Sequence, residues 1–375
     1  KKVKMDKNNN FLIAVAVLVG TCIGAGVLGL PYVAAQSGFL LTSAYIILIG
    51  IMVFVVNLYF GEVTLRTKKK HQIGGYAQKY LGKKGMILTE FAFIFGIYSA
   101  IIAYMFGVGD SLSFLVFGHV NFSLFFGLGF GILMSLLIWR GMKSLKKFEE
   151  WGVSLILFLL ILIVLIFINK VDFSNLYTFN ISNLFLPFGI VLFSLLSFHA
   201  IPDVNMILTK NKKSMKKIIF FGALIPVIFY RLFILVVVGF KGVNTPEVAT
   251  LALGPVFVIV GILTMFTSYL ALGNALEENL KLDRKMSQGK SWFFSSIIPI
   301  FLFLFVKFFD YFSFTNILSL GGIVSGGLIG ISILLINKNA KKKGDRKPEY
   351  SIPINGFVIG LISLIFILGI LTFFL

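Results

Sequence analysis

The chain has 375 residues, 58% of them hydrophobic and only 13% charged, with a mean hydropathy of +0.97. Soluble domains carry about a quarter charged residues, so a soluble enzyme or binding domain is excluded and a polytopic membrane protein remains. The net charge of +19 would suit a nucleic-acid partner, but the placement of the basic residues excludes that reading.

A helix needs about 20 apolar residues to cross a bilayer. Eleven such runs follow one another, at 11–36, 39–65, 86–117, 122–140, 151–169, 184–209, 216–240, 250–276, 291–309, 313–337 and 352–374. They divide the chain into a tail (1–10), five spans within 11–170, five more within 171–337, a basic linker (338–351) and a last span within 352–375. The first run is too long and too rich in glycine for a cleaved signal peptide. Residues 71–83 read as a short amphipathic helix lying on the membrane surface.

Thirty of the 34 basic residues fall in six clusters, at 1–7, 66–84, 140–147, 210–217, 281–290 and 338–347. If the spans alternate, every cluster lies on one side. By the positive-inside rule that side is the cytoplasm, which puts the N-terminus inside the cell membrane and the C-terminus outside. The single cysteine, Cys22, leaves no internal disulfide and reads as a small core residue.

Span one contains Gly20-Thr21-Cys22-Ile23-Gly24-Ala25-Gly26-Val27-Leu28-Gly29-Leu30-Pro31. Glycine costs a helix roughly 1 kcal/mol relative to alanine. In a bilayer, unwound backbone survives only where it lines a cavity. The run therefore predicts a broken helix that grips something small and polar, although close packing through small residues would also produce glycines. Span six carries Ser194, Ser197 and His199 and then Pro202, which predicts a second interruption. Four spans separate the two breaks, so each opens a five-helix half, and an odd number of helices per half forces opposite orientations. Paired breaks in corresponding helices mark a substrate site near the membrane midplane.

The run from Gly20 to Pro31, followed by Ala34 and Gly38, resembles the first-helix motif of the amino acid/auxin permease family. Ser197-Phe198-His199 with Ile201-Pro202, and Ala103-Tyr104-Met105-Phe106-Gly107-Val108-Gly109-Asp110, resemble its bacterial hydroxy/aromatic amino acid permease branch. The resemblance implies an all-α, leucine-transporter-like fold of five-plus-five inverted repeats with an eleventh helix. It also implies secondary active import of neutral amino acids, coupled to Na⁺ or H⁺.

A half-helix N-terminus favours anions, so the amides of Ile23, Gly24, Ala25 and Gly26 suit a substrate carboxylate, with the Thr21 hydroxyl beside them. Freed carbonyls from Phe193 to Ser197, with the hydroxyls of Ser194 and Ser197, suit the ammonium. No Asp or Glu lies mid-span in either broken helix. That favours a neutral zwitterion, since a third charge would lack a partner. Tyr98 and Tyr104 are candidates to cap the pocket, and interface tyrosines are the alternative.

In span eight, Thr267 and Ser268 resemble the hydroxyl pair that joins backbone carbonyls around Na⁺ in sodium-coupled relatives. Here those carbonyls would be near Gly20 and Ile23, and the alternative is that both hydroxyls bond back to their own helix. Span five has no lysine, which some proton-coupled relatives place at the sodium position. His199 is a proton relay or a structural histidine. Arg231, inside span seven, is a gating charge or a satisfied structural one.

No phosphate loop, metal-ligand cluster or nucleophile–base pair supports an enzyme, and no cofactor is expected beyond a bound Na⁺. The partners expected are a small amino acid and membrane lipid, not nucleic acid. An amino-acid-sensing receptor on the same fold, binding without net flux, is the second reading.

Overall fold

The computed structural model describes residues 7–140, 158, 160–208, 211–282, 284–309 and 312–373, and all regular structure among them is helical. Seven helices are long and apolar enough to cross a membrane: Phe39–Arg66, Ile73–Phe117, Leu186–Ile207, Lys212–Asn244, Pro255–Lys281, Gln288–Phe309 and Phe314–Lys343. A pair bent by 47°, Asn10–Cys22 and Gly26–Ser37, makes an eighth crossing. Shorter apolar helices at Ser123–Trp139, Leu160–Lys170 and Gly356–Leu371 fall on the runs read as spans four, five and eleven. Residues 141–157, with one basic cluster and the start of span five, lie outside the described residues. The chain is a polytopic, all-helical membrane protein.

Two boundaries differ from the sequence reading. The surface helix begins at Ile73 and turns directly into span three at Gly82, whose φ of 76° and ψ of −168° a side chain would strain. The helix of span ten runs on to Lys343, so the stretch 338–343 is helical and the connection begins at Gly344. Lysines can extend a helix into water, because their heads leave the membrane while their stems cover its end.

Span three packs against spans eight and ten and the Ser123–Trp139 helix, while span seven packs against spans one and two. The broken helices lie where these groups meet. At the basic end, Glu62 is fully buried and ties three segments together. It pairs with Arg66 at 2.8 Å and Lys341 at 3.0 Å, and it accepts the Ile352 amide at 2.9 Å. A buried carboxylate is tolerated only with such compensation.

Candidate functional site

Span one unwinds where its side chains are smallest. Its first helix ends at Cys22, Gly24 is extended (φ −108°, ψ −161°), and a 3₁₀ turn over Ala25–Gly29 leads into the Leu30–Ser37 helix. The Ile23 amide donates to Val19 O at 2.8 Å and the Gly24 amide to Cys22 O at 2.9 Å. Two of the four amides expected to face an anion are therefore committed within the chain, Ile23 because the first helix keeps its pairing one residue past its end and Gly24 in a tight turn back to Cys22. Ala25 and Gly26 head the second half-helix, where amides have no preceding turn to pair with.

Span six breaks at Leu196, which is extended (φ −65°, ψ 116°), between the Leu186–Leu195 helix and a 3₁₀ turn over Phe198–Ala200. Pro202 was expected to interrupt this span. It stands instead in the first turn of the Ile201–Ile207 helix, where a missing N–H breaks no bond and the fixed φ suits a helix start.

The two breaks face each other. A Cβ placed on Gly26 would lie 2.8 Å from Ser194 Oγ and 2.9 Å from Phe193 Cδ1, so only glycine allows this approach. A Cβ on Gly24 would lie 3.9 Å from both Ser268 Oγ and Tyr104 Oη. The Tyr104 and Ser268 hydroxyls thus flank Gly24 together. Gly24, Gly26, Tyr104, Phe193, Ser194 and Ser268 thus surround one place, reached from spans one, three, six and eight.

The residue that links the breaks is one the sequence reading missed. Tyr230, on span seven, is fully buried and its hydroxyl lies 2.7 Å from Cys22 O and 2.8 Å from Ser194 O. A phenol has one proton, so a single donor serves a carbonyl from each unwound segment. A polar tip well inside a span must find a partner, and that was the available signal.

Asn57 was missed as well, for all that it is an amide within span two. Its Nδ2 donates to Ser197 Oγ at 2.9 Å. The Cys22 thiol donates to Leu195 O, next to the span-six break, at 3.5 Å. Asn57 Oδ1 and Ser194 Oγ are buried without a hydrogen-bond partner among the described residues. Buried polar atoms are normally paired, so this cluster retains both an acceptor and a hydroxyl for something that enters it.

Other singled-out residues lie differently. The Thr21 hydroxyl donates to Val17 O at 2.8 Å on an exposed side of its helix, and Thr267 donates to Thr264 O at 3.0 Å. Both follow the back-bonding habit of helical threonines. Tyr98 donates to Phe294 O at 2.6 Å on span nine and caps nothing at this site. His199 is half-buried with its ring edge-on to Phe93, at a centroid distance of 5.1 Å. Arg231 is exposed on the outer side of span seven, while its neighbour Tyr230 faces inward.

A family model described as the tryptophan/tyrosine permease family matches residues 7–373. The chain is 25% identical over 232 residues to glutamine transporter 2 of Aliivibrio fischeri, covering 60% of this chain and 59% of that one. It is 28% identical over 221 residues to tyrosine-specific transport system 1 of Haemophilus influenzae, covering 58% and 54%. Amino acid transporter AVT1H of Arabidopsis thaliana is 24% identical over 197 residues, covering 50% and 46%. The chain therefore spans between about half and three fifths of the length of these curated relatives.

Proposed function

The chain belongs to the tryptophan/tyrosine permease family, and is thus no enzyme. From that premise we propose that it imports a neutral amino acid across the cell membrane, held between the two broken helices. The observation that carries this reading is the meeting of two unwound segments about 170 residues apart in sequence, bridged by one buried phenol. The amides of Ala25 and Gly26 receive the carboxylate, and the carbonyls and hydroxyls of Phe193 to Ser197 receive the ammonium. Tyr104 and Phe193 border the side chain, which suits tyrosine, tryptophan or glutamine, as the relatives' names suggest.

The finer architecture belongs to the same proposal: eleven spans, a leucine-transporter-like pair of inverted five-helix repeats within the amino acid/auxin permease family, and an N-terminus in the cytoplasm. Alternating access then tilts the half-helices about their breaks. Sodium is the coupling ion of choice here, held by the carbonyls of Gly20 and Ile23 with the hydroxyl oxygens of Thr267 and Ser268. The adjacency of Ser268 to Gly24 supports it, and a hydroxyl that donates to a carbonyl keeps lone pairs for a hard cation. In proteoliposomes we expect saturable uptake of labelled tyrosine, tryptophan or glutamine that follows an imposed gradient. Absence of uptake of all twenty amino acids under both Na⁺ and H⁺ gradients overturns the proposal.

A further inference from the structure

The connection from span five to span six is built inside out. Its asparagines are spent on backbone: Asn175 Nδ2 donates to Gly239 O at 3.0 Å, Asn183 Nδ2 donates to Gln36 O at 3.0 Å, and Asn180 Oδ1 accepts the Ser182 amide at 3.0 Å. The Asn180 amide donates to Ser37 O at 3.2 Å, and the Asp172 amide to Gly239 O at 2.9 Å. The segment is therefore fastened across the ends of span seven and of the second half of span one. A Cβ on Gly38 would lie 2.5 Å from Thr178 O, so a side chain there would push the segment off.

The side that this fastening turns outward is apolar. Phe173, Tyr177, Phe179, Ile181 and Phe185 are each between 51% and 78% exposed. A loop in water does not gather its large apolar residues on its open side, since sizeable exposed apolar patches mark interaction surfaces. On a span such side chains would face acyl chains, but these lie beyond the last turn of the Leu160–Lys170 helix.

Two lysines mark their depth. Lys170 ends that helix and Lys241 ends the α-helical part of span seven. Their ammonium groups lie 5.2 Å and 5.1 Å from the ring centres of Phe167 and Phe240. Lysines at span ends lay their stems along apolar surface and hold their heads among the lipid headgroups. The connection leaves from Lys170 and is tied to Gly239, close to Lys241, so it runs at headgroup depth.

We propose that residues 173–185 are an interfacial anchor, with their five outward apolar side chains seated in the boundary between headgroups and acyl chains of the leaflet opposite the basic clusters. The occupant is phospholipid rather than a second copy of the chain, because the face continues that of span five, whose last turns expose Leu165, Ile166 and Ile168. No charged residue falls within 173–185, so apolar burial holds the segment and no headgroup charge is selected. Through Asn180 and Asn183 the anchor ties the outer end of span one to the membrane surface. This role is independent of the solute carried.

The test is fluorescence quenching by lipid. Cys22, the single native cysteine, is buried, so a bimane on Ile181→Cys of the full chain reports alone. The labelled chain is placed in phosphatidylcholine vesicles that contain a lipid with its nitroxide either near the headgroup or at mid-chain. We expect the nitroxide near the headgroup to quench about twofold more strongly than the one at mid-chain. In the same chain, Phe173→Ser/Tyr177→Ser/Phe179→Ser should lower that quenching to about half or less.

All three of those positions are exposed, so little packing is lost. Should that variant still fail to fold, the depth read from Ile181→Cys alone decides. Quenching by neither lipid overturns the anchor, and so does quenching at mid-chain that equals or exceeds the other. Undiminished quenching in the folded triple variant also overturns it. If neither lipid quenches and Ile181→Cys crosslinks to itself between chains, the face belongs to a dimer instead.

Discussion

Replacing Tyr230 by Phe removes one oxygen and leaves the packing in place, so it isolates the bridge between the two breaks. The hydroxyl is fully buried and faces Cys22 O and Ser194 O at 2.7 and 2.8 Å. Without it both carbonyls lose their shared donor in a region with no bulk water. Leaving a buried acceptor unmade costs about 1–3 kcal/mol; Cys22 O keeps the Gly24 amide at 2.9 Å, so the loss falls on Ser194 O and is of that order. For a chain of 150–250 residues each kcal/mol moves the melting midpoint by roughly 2–4 °C, and a longer chain moves less. We therefore expect the midpoint of Tyr230→Phe to fall by about 1–4 °C in detergent at a fixed scan rate. A substrate ammonium that reaches these carbonyls supplies the missing donor, so the deficit should shrink at saturating amino acid. A ligand at 100 times its Kd already adds about 2.7 kcal/mol to any competent protein, so the two proteins must be compared at equal saturation. If Tyr230→Phe melts within about 0.5 kcal/mol of wild type, the range of an indifferent surface change, the phenol does not hold the breaks together.

Four further outcomes follow from particular contacts. Gly26→Ala brings a methyl to 2.8 Å from Ser194 Oγ and 2.9 Å from Phe193. At about 1–3 kcal/mol for an overpacked contact, it should raise the KM of uptake roughly tenfold or more while expression is kept. Glu62→Gln leaves Arg66 and Lys341 facing a neutral group at a fully buried position. It should destabilise by on the order of 3 kcal/mol, read as a lower melting midpoint. His71, in the loop before the surface helix, is held below its ordinary value of 6.5 by burial first, then by Lys69 and Lys79 against the opposing Asp345. The folded state thus resists a proton that the unfolded chain accepts, so this contribution is full above pH 6.5 and lost as the pH falls below it; His71→Gln should flatten the melting midpoint between pH 6.5 and 5. Thr267→Ala and Ser268→Ala should each weaken Na⁺ activation of uptake at least tenfold, and unchanged activation in both removes Na⁺ from that place.

The crossings were legible because a bilayer leaves few choices. Apolar runs of bilayer length become helices: the runs at 39–65 and 216–240 sit inside the observed Phe39–Arg66 and Lys212–Asn244, and the run at 250–276 overlaps Pro255–Lys281, whose helix starts five residues later. The bend in span one was legible for the same reason, since four glycines can leave the helix without stranding side chains. Boundaries were less legible. Periodicity does not distinguish the surface helix from span three, and only the left-handed backbone at Gly82 divides them. Pro202 misled because a proline inside a continuous apolar run reads as a breaker, whereas the helix here begins anew just before it.

The site was half legible, and the missing half has one cause. Glycines and prolines announce that backbone has been freed, but the side chains that satisfy it come from elsewhere in the chain. Tyr230 and Asn57 lie on intact helices, and nothing in the local sequence of either names Cys22, Ser194 or Ser197 as the partner. Arg231 drew attention because a charge in a membrane is costly, yet it is exposed, and the neutral residue beside it does the bridging. In a broken-helix protein the useful question is therefore which distant donor answers each freed carbonyl. Here one proton answers two carbonyls, while Asn57 Oδ1 goes unanswered. The buried Asn57 Oδ1 and Ser194 Oγ, an acceptor and a hydroxyl both left open, are the complement of a solute that donates as well as accepts.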